Sequence, residues 1–148
     1  MSGLALNAQG RTEACMGIAA GDADADGLLD LFITNYYRET NTLYRQIGPD
    51  EFVDATQSAN LAESSLYLLG FGTQFLDADL DGLQDLVVVN GHVEDLRKME
   101  TPWQMRPQFL KNQGQGRFEE LKADKLGAFF QKPRLGRGMA RLDWSRDG

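Results

Sequence analysis

The sequence predicts an all-β protein assembled from an internal repeat, and three observations carry that prediction. The first is a nine-residue loop that occurs twice, D-A-D-A-D-G-L-L-D from Asp22 to Asp30 and D-A-D-L-D-G-L-Q-D from Asp77 to Asp85; a third start, D-W-S-R-D-G, stands at Asp143. The second is that each complete loop lies between short apolar stretches. G-I-A-A-G from Gly17 and G-T-Q-F-L from Gly72 precede the loops, and L-F-I-T from Leu31 and L-V-V-V from Leu86 follow them. The later pair is rich in β-branched residues and too short for helices, so both read as buried strands. The third is a matching register, since Phe52 to Gly72 and Phe118 to Gly138 are both 20 residues.

Taken in order, each unit reads as strand, loop, strand, connection, strand, turn, strand. Gly17, Gly72 and Gly138 each lie five residues before the first Asp of their loop, with G-M-A-R-L opening the third unit. L-Y-R-Q from Leu43 and F-L-K-N from Phe109 supply third strands; I-G-P-D-E and Q-G-Q-G-R are turn-formers leading to fourth strands at Phe52 and Phe118. The glycines repeat at intervals of 55 and 66 residues, and the difference is one insertion that falls in roughly Gly91 to Pro107. Val93 to Glu100 within it is expected to form a helical turn or two. Four short strands at this period form the pattern of a propeller blade. The fold expected is therefore a partial β-propeller of about two four-stranded blades, with a metal loop between the first and second strands of each. Repeat 1 covers about 16–70, repeat 2 about 71–136, and a third begins at about 137–148. In such a meander, the metal loops and the third-to-fourth turns share one end and the insertion lies at the other. Phe32, Phe52, Phe75, Phe109 and Phe118 are expected in the inter-blade core, and Lys122 to Lys132 as a solvated connection. Because the chain opens without an obvious first element and stops inside the third loop, it reads as a piece of something longer.

The loops carry the chemistry. Carboxylates at positions 1, 3, 5 and 9 (Asp22, Asp24, Asp26 and Asp30; Asp77, Asp79, Asp81 and Asp85) converge when the backbone curls around a point. Glycine at position 6, Gly27 and Gly82, permits the positive φ that the curl requires. Such a loop binds a hard cation, with calcium the expected ion and about two ions per chain. An EF-hand opens with the same spacing but needs a bidentate Glu at position 12, where this chain has Ile33 and Val88.

Composition narrows the function. The chain has 148 residues with 42% hydrophobic content, enough for a core, and a net charge of −7 from 22 acids and 15 bases. Eight acids lie in the two loops, so two divalent ions would offset about four of the seven negative charges. No basic cluster marks a nucleic-acid face, and no apolar run is long enough to span a membrane as a helix. Cys15 is the only cysteine and is expected to be a small apolar residue, buried or half-buried. His92 is the only histidine and is expected to hydrogen-bond within a turn. With no partner for it, and no nucleophile elbow, phosphate loop or zinc motif, the residues make no catalytic case. A metal-dependent hydrolase built on a propeller is the competing class. Met99, Trp103 and Met105 in the insertion are read as packing that loop onto the blades, with a partner anchor as the alternative.

Glycine, apolar strand, D-x-D-x-D-G-x-x-D and second apolar strand together resemble the FG-GAP/VCBS repeat of integrin-α-type propellers, with Gly70 to Asp85 a close match. M-G-I-A-A-G-D from Met16, N-T-L-Y-R from Asn41, V-N-G-H-V from Val89 and G-R-G-M-A from Gly136 resemble, more narrowly, the family that includes cartilage acidic protein and often carries an ASPIC/UnbV domain. The resemblance implies a calcium-stabilised module, secreted or at the cell surface, that serves adhesion or binding to a protein or glycan and is completed by the remaining blades of a longer chain. It also implies that the carbonyls of Leu28 and Leu83 join the eight aspartates as ligands. The third loop departs from the pattern with Ser145 at position 3, so Asp143 and Asp147 are expected to bind weakly or not at all.

Overall fold

In the computed structural model, which describes residues 2–142 and Trp144, every expected strand of the two repeats forms. Strands β1 (Cys15–Gly21), β2 (Asp30–Asn35), β3 (Thr42–Gly48) and β4 (Glu51–Asp54) make one antiparallel sheet in sequential order. Strands β5 (Gly70–Leu76), β6 (Asp85–Asn90), β7 (Gln108–Asn112) and β8 (Phe118–Glu120) make the second with the same order. The protein is all-β, and its two four-stranded meanders are two blades of a partial β-propeller. Asp143, Ser145 and Asp147 of the third loop lie outside the described residues.

The pleat decides which side chains meet. Ala19, Phe32 and Leu43 are cross-strand neighbours on one face of the first sheet, and Phe75, Leu86 and Leu110 are neighbours on one face of the second. These faces meet in one apolar cluster, joined by Val88 and Phe118 and sealed by Ala55, Ala59 and Leu61 from the β4–β5 connection. That connection contains a single helical turn, α1 (Ala62–Ser65), and the Ala59 carbonyl accepts the Phe118 amide at 2.9 Å. Neither sheet therefore owns a core; the core lies between blades.

Backbone proximity explains the glycine that begins each unit. A Cβ on Gly17 would stand 2.2 Å from the Phe71 carbonyl oxygen, and one on Gly72 would stand 2.5 Å from the Met139 amide nitrogen. The same oxygen of Phe71 accepts the Thr34 hydroxyl at 2.7 Å, while the Gly72 amide donates to the Arg137 carbonyl at 2.8 Å. The start of each unit thus runs against the next at main-chain distance, including the segment that follows the second blade.

Four expectations need correction. Phe52 and Phe109 are half-buried and outside the inter-blade cluster. Phe109 sits one residue from Leu110, so the pleat turns it to the opposite face, where its ring meets Phe130 edge-on at 6.1 Å. Residues 122–132 accordingly do more than connect, since α2 (Ala128–Gln131) holds Phe130 over β7. The insertion forms one helical turn, a 3₁₀ turn at Arg97–Met99, but Met99 is exposed instead of packed onto the blades, while Met105 is buried. Cys15 is exposed because the first two residues of β1 are uncovered.

The segment before β1 folds back on the first blade. The Ser2 carbonyl accepts the Phe52 amide at 2.9 Å, and the Glu13 carboxylate accepts Asn35 Nδ2 at 2.9 Å and the Thr42 hydroxyl at 2.7 Å. Tyr44 is buried on this side, and desolvation, followed by Glu13 and Asp54, pushes its phenol up to about 12.

Gly17→Ala is expected to force the blades apart and cost on the order of 1–3 kcal/mol in urea unfolding, as overpacking does. Tyr44 gives a pH signature. Between the ordinary value of 10.0 and about 12 the folded state keeps a proton that the unfolded state has released. Stability is therefore fully present below pH 10.0 and falls as pH rises through that window. Tyr44→Phe should remove this fall and the phenolate absorbance step near 12.

Candidate metal centre

Both loops close by the same hydrogen bonds, because the same residue types stand at the same offsets. The position-1 carboxylate caps the curl: Asp22 accepts the amides of Asp26 and Gly27 at 3.1 and 3.0 Å, and Asp77 accepts those of Asp81 and Gly82 at 3.1 and 2.9 Å. The position-5 carboxylate accepts the position-7 amide, Leu28 to Asp26 at 2.8 Å and Leu83 to Asp81 at 2.9 Å. Gly27 and Gly82 take φ of +89° and +87°. Sequence reasoning missed position 4, where Ala25 and Leu80 also lie in the left-handed region at +61° and +60°. A side chain there costs roughly 1–2 kcal/mol, and no compositional signal marks it.

Position 9 has a different task. Asp30 and Asp85 are almost fully buried, at 0% and 1% exposure. Asp30 accepts the Ala23 amide and, from β3, the Gln46 amide, both at 2.9 Å. Asp85 accepts the Ala78 amide at 3.2 Å and, from β7, the Asn112 amide at 2.8 Å. Burial pushes both carboxyls above their ordinary range; the amide bonds oppose that rise, and the neighbouring loop acids add to it.

The carboxylates gather into two clusters. Asp22, Asp24 and Asp30 bring one oxygen each within 4.8 Å of one another, and Asp77, Asp79 and Asp81 do the same. Asp26 lies outside the first cluster and Asp85 outside the second. Each cluster also meets a cation that the loop motif did not announce. Arg45 on β3 pairs with Asp24, and Lys111 at the equivalent place on β7 pairs with Asp79 and lies 3.8 Å from Asp81. The bond from Lys111 is the main cause that holds Asp79 below the ordinary carboxylate range.

The donors fit a hard divalent cation. Asp24 has only 4% of its side chain exposed, yet its Oδ1 has no hydrogen-bond partner. A buried, unpaired carboxylate oxygen is costly unless something positive meets it, and one arginine does not balance the four acids of its loop. Strands flank both loops, so the helix–loop–helix alternative fails.

The lone histidine sits at the other end of the sheet. His92 is buried, accepts the Glu94 amide at 3.1 Å, and presents its ring edge-on to Tyr36 and Tyr37 of the first blade. Trp103 packs under Arg97, with 5.3 Å between the guanidinium and the ring.

Residues 22–88 match the family model described as FG-GAP-like repeat, a span that runs from the first Asp of the first loop into β6. No curated protein matches the chain. Among the described residues, no helix is long and apolar enough to cross a membrane.

Asp85→Asn leaves one of two backbone amides facing an amide nitrogen instead of an oxygen. The metal-free variant should lose on the order of 1–3 kcal/mol in urea unfolding. Asp79→Asn, at an exposed position, should lose less in the same measurement.

Proposed function

We propose that this protein is a non-catalytic β-propeller module for binding or adhesion, stabilised by two structural calcium ions. The observation that carries the reading is the unpaired, buried Asp24 Oδ1 inside a three-carboxylate cluster whose motif recurs in the next blade. Asp22, Asp24, Asp26 and Asp30 with the Leu28 carbonyl would hold one ion, and Asp77, Asp79, Asp81 and Asp85 with the Leu83 carbonyl the other. A bound ion neutralises crowded carboxylates and fixes the β1–β2 or β5–β6 loop, so its binding energy becomes folding energy. Extracellular calcium modules bind with affinities on the order of 10⁻⁴ to 10⁻³ M, which suits a secreted or cell-surface site.

The partner is a protein or glycan, met by the loops at the end opposite the metal sites, where the insertion projects. Further blades are also partners. Leu31, Ile33 and Phe52 occupy the repeat positions of Leu86, Val88 and Phe118, which face the first blade from the second; in the first blade they are only half-buried. Their apolar character supports another blade against that face. The motifs from Met16, Asn41, Val89 and Gly136 support the narrower affiliation with the family of cartilage acidic protein and its ASPIC/UnbV relatives.

Calcium titrated into chelated protein, followed by calorimetry and far-ultraviolet circular dichroism, should show about two ions bound, an unchanged β-type spectrum and a higher melting temperature. Absence of binding at millimolar calcium, with melting the same with and without the ion, would overturn the reading.

A further inference from the structure

The two loops touch, and the contact is one-sided. Loop 1 (22–30) lies against loop 2 (77–85) and the end of β7. The amide of Asp22, the first residue of loop 1, donates to Gln84 Oε1 at 2.9 Å, and Gln84 is position 8 of loop 2. Asn112 on β7 donates its Nδ2 to the Ala23 carbonyl of loop 1 at 2.8 Å and to the Gln84 carbonyl of loop 2 at 3.0 Å. Its own amide donates to Asp85 of loop 2. Gly21 makes room for this junction, since a Cβ there would stand 2.4 Å from Gln84 Oε1. Loop 1 has no equivalent arm, because its position 8 is Leu29, which is exposed.

We infer that Gln84 and Asn112 couple the two loops, so that a divalent cation bound in loop 2 raises the affinity of loop 1, and the reverse. The inference rests on the calcium reading above and adds its regulation. An ion in loop 2 fixes the Asp77–Asp85 curl and therefore the arm at Gln84. The fixed arm holds the Asp22 amide, and Asn112 holds the Ala23 carbonyl, so the first two residues of loop 1 are tied to loop 2 and β7. One of the loop-1 carboxylates, Asp24, already presents a buried oxygen with no partner. Coupling of this kind is reciprocal by linkage, because each ion favours the same joined arrangement of both loops. Gln84 and Asn112 are positioning residues and not ligands.

Calcium titration of the full chain by calorimetry tests this. The intact protein should bind its ions with positive cooperativity, and disabling loop 2 with Asp79→Asn should weaken binding at loop 1 by about 5-fold or more. Gln84→Ala should lower the cooperativity and shrink the effect of Asp79→Asn on loop 1, since only the Asn112 link then remains. Gln84→Glu keeps an acceptor for the Asp22 amide and should retain cooperativity. Independent binding in the intact protein, with loop-1 affinity indifferent to Asp79→Asn, overturns the coupling and leaves the calcium reading standing. No calcium binding by the intact protein overturns both. If Asp79→Asn fails to fold, the comparison of cooperativity between intact protein and Gln84→Ala decides alone.

Discussion

Asp30 and Asp85 place a carboxylate where water does not reach and spend both oxygens on backbone amides, one from the loop and one from the third strand of the same blade. The loop cannot open without stranding a buried charge, and the third strand cannot leave without orphaning the same group. Loop closure and sheet formation are therefore a single event in each blade. The remaining acids of the loop can crowd together because this anchor fixes the return limb. That crowding makes the opposite end of the loop receptive to a cation.

Apolar contacts then link one blade to the next. The cluster around Phe32 and Leu86 takes one face from each sheet. Close approach of main chains at Gly17 and Gly72 sets the spacing. Structural equivalence between the blades is a matter of position and not of environment. Leu43 of the first blade is in the core, whereas its counterpart Phe109 looks the other way toward Phe130. A repeat whose faces are shared cannot be stable singly, so neighbours complete one another.

Much of this was legible in the sequence. Two nearly identical loops, β-branched runs after them, and the 20-residue register gave the strands, their order and the place of the insertion. Spacing brings out the eight loop aspartates, six of which the fold gathers into two clusters, and the curl they need points to Gly27 and Gly82. What escaped was whatever depends on a residue's surroundings. Spacing treats position 9 like the other acids and does not show that Asp30 and Asp85 are buried and tie each loop to the third strand of its blade. Arg45 and Lys111 look like ordinary strand residues until the meander folds them over the loops. Gln84 and Asn112 belong to no motif, and their role exists only because the second blade lies against the first. Phe52 and Phe109 lie outside the cluster between these two blades because aromaticity marks a strand but does not say which of its two faces the residue presents.

The insertion has a closed stem and an open tip. Gly91 pairs with Gln104, the His92 amide donates to the Trp103 carbonyl at 2.8 Å, and Arg137 bonds the carbonyls of Gly91 and His92. Beyond that stem, residues 93–100 are largely exposed. The stem hydrogen bonds fall on main-chain atoms at the base of the insertion and on one side chain outside it, the Arg137 guanidinium, so none of them depends on the side chains of the tip. The fold thereby concentrates its structural obligations in the acids at one end of the sheet and leaves the tip at the other end nearly free of them.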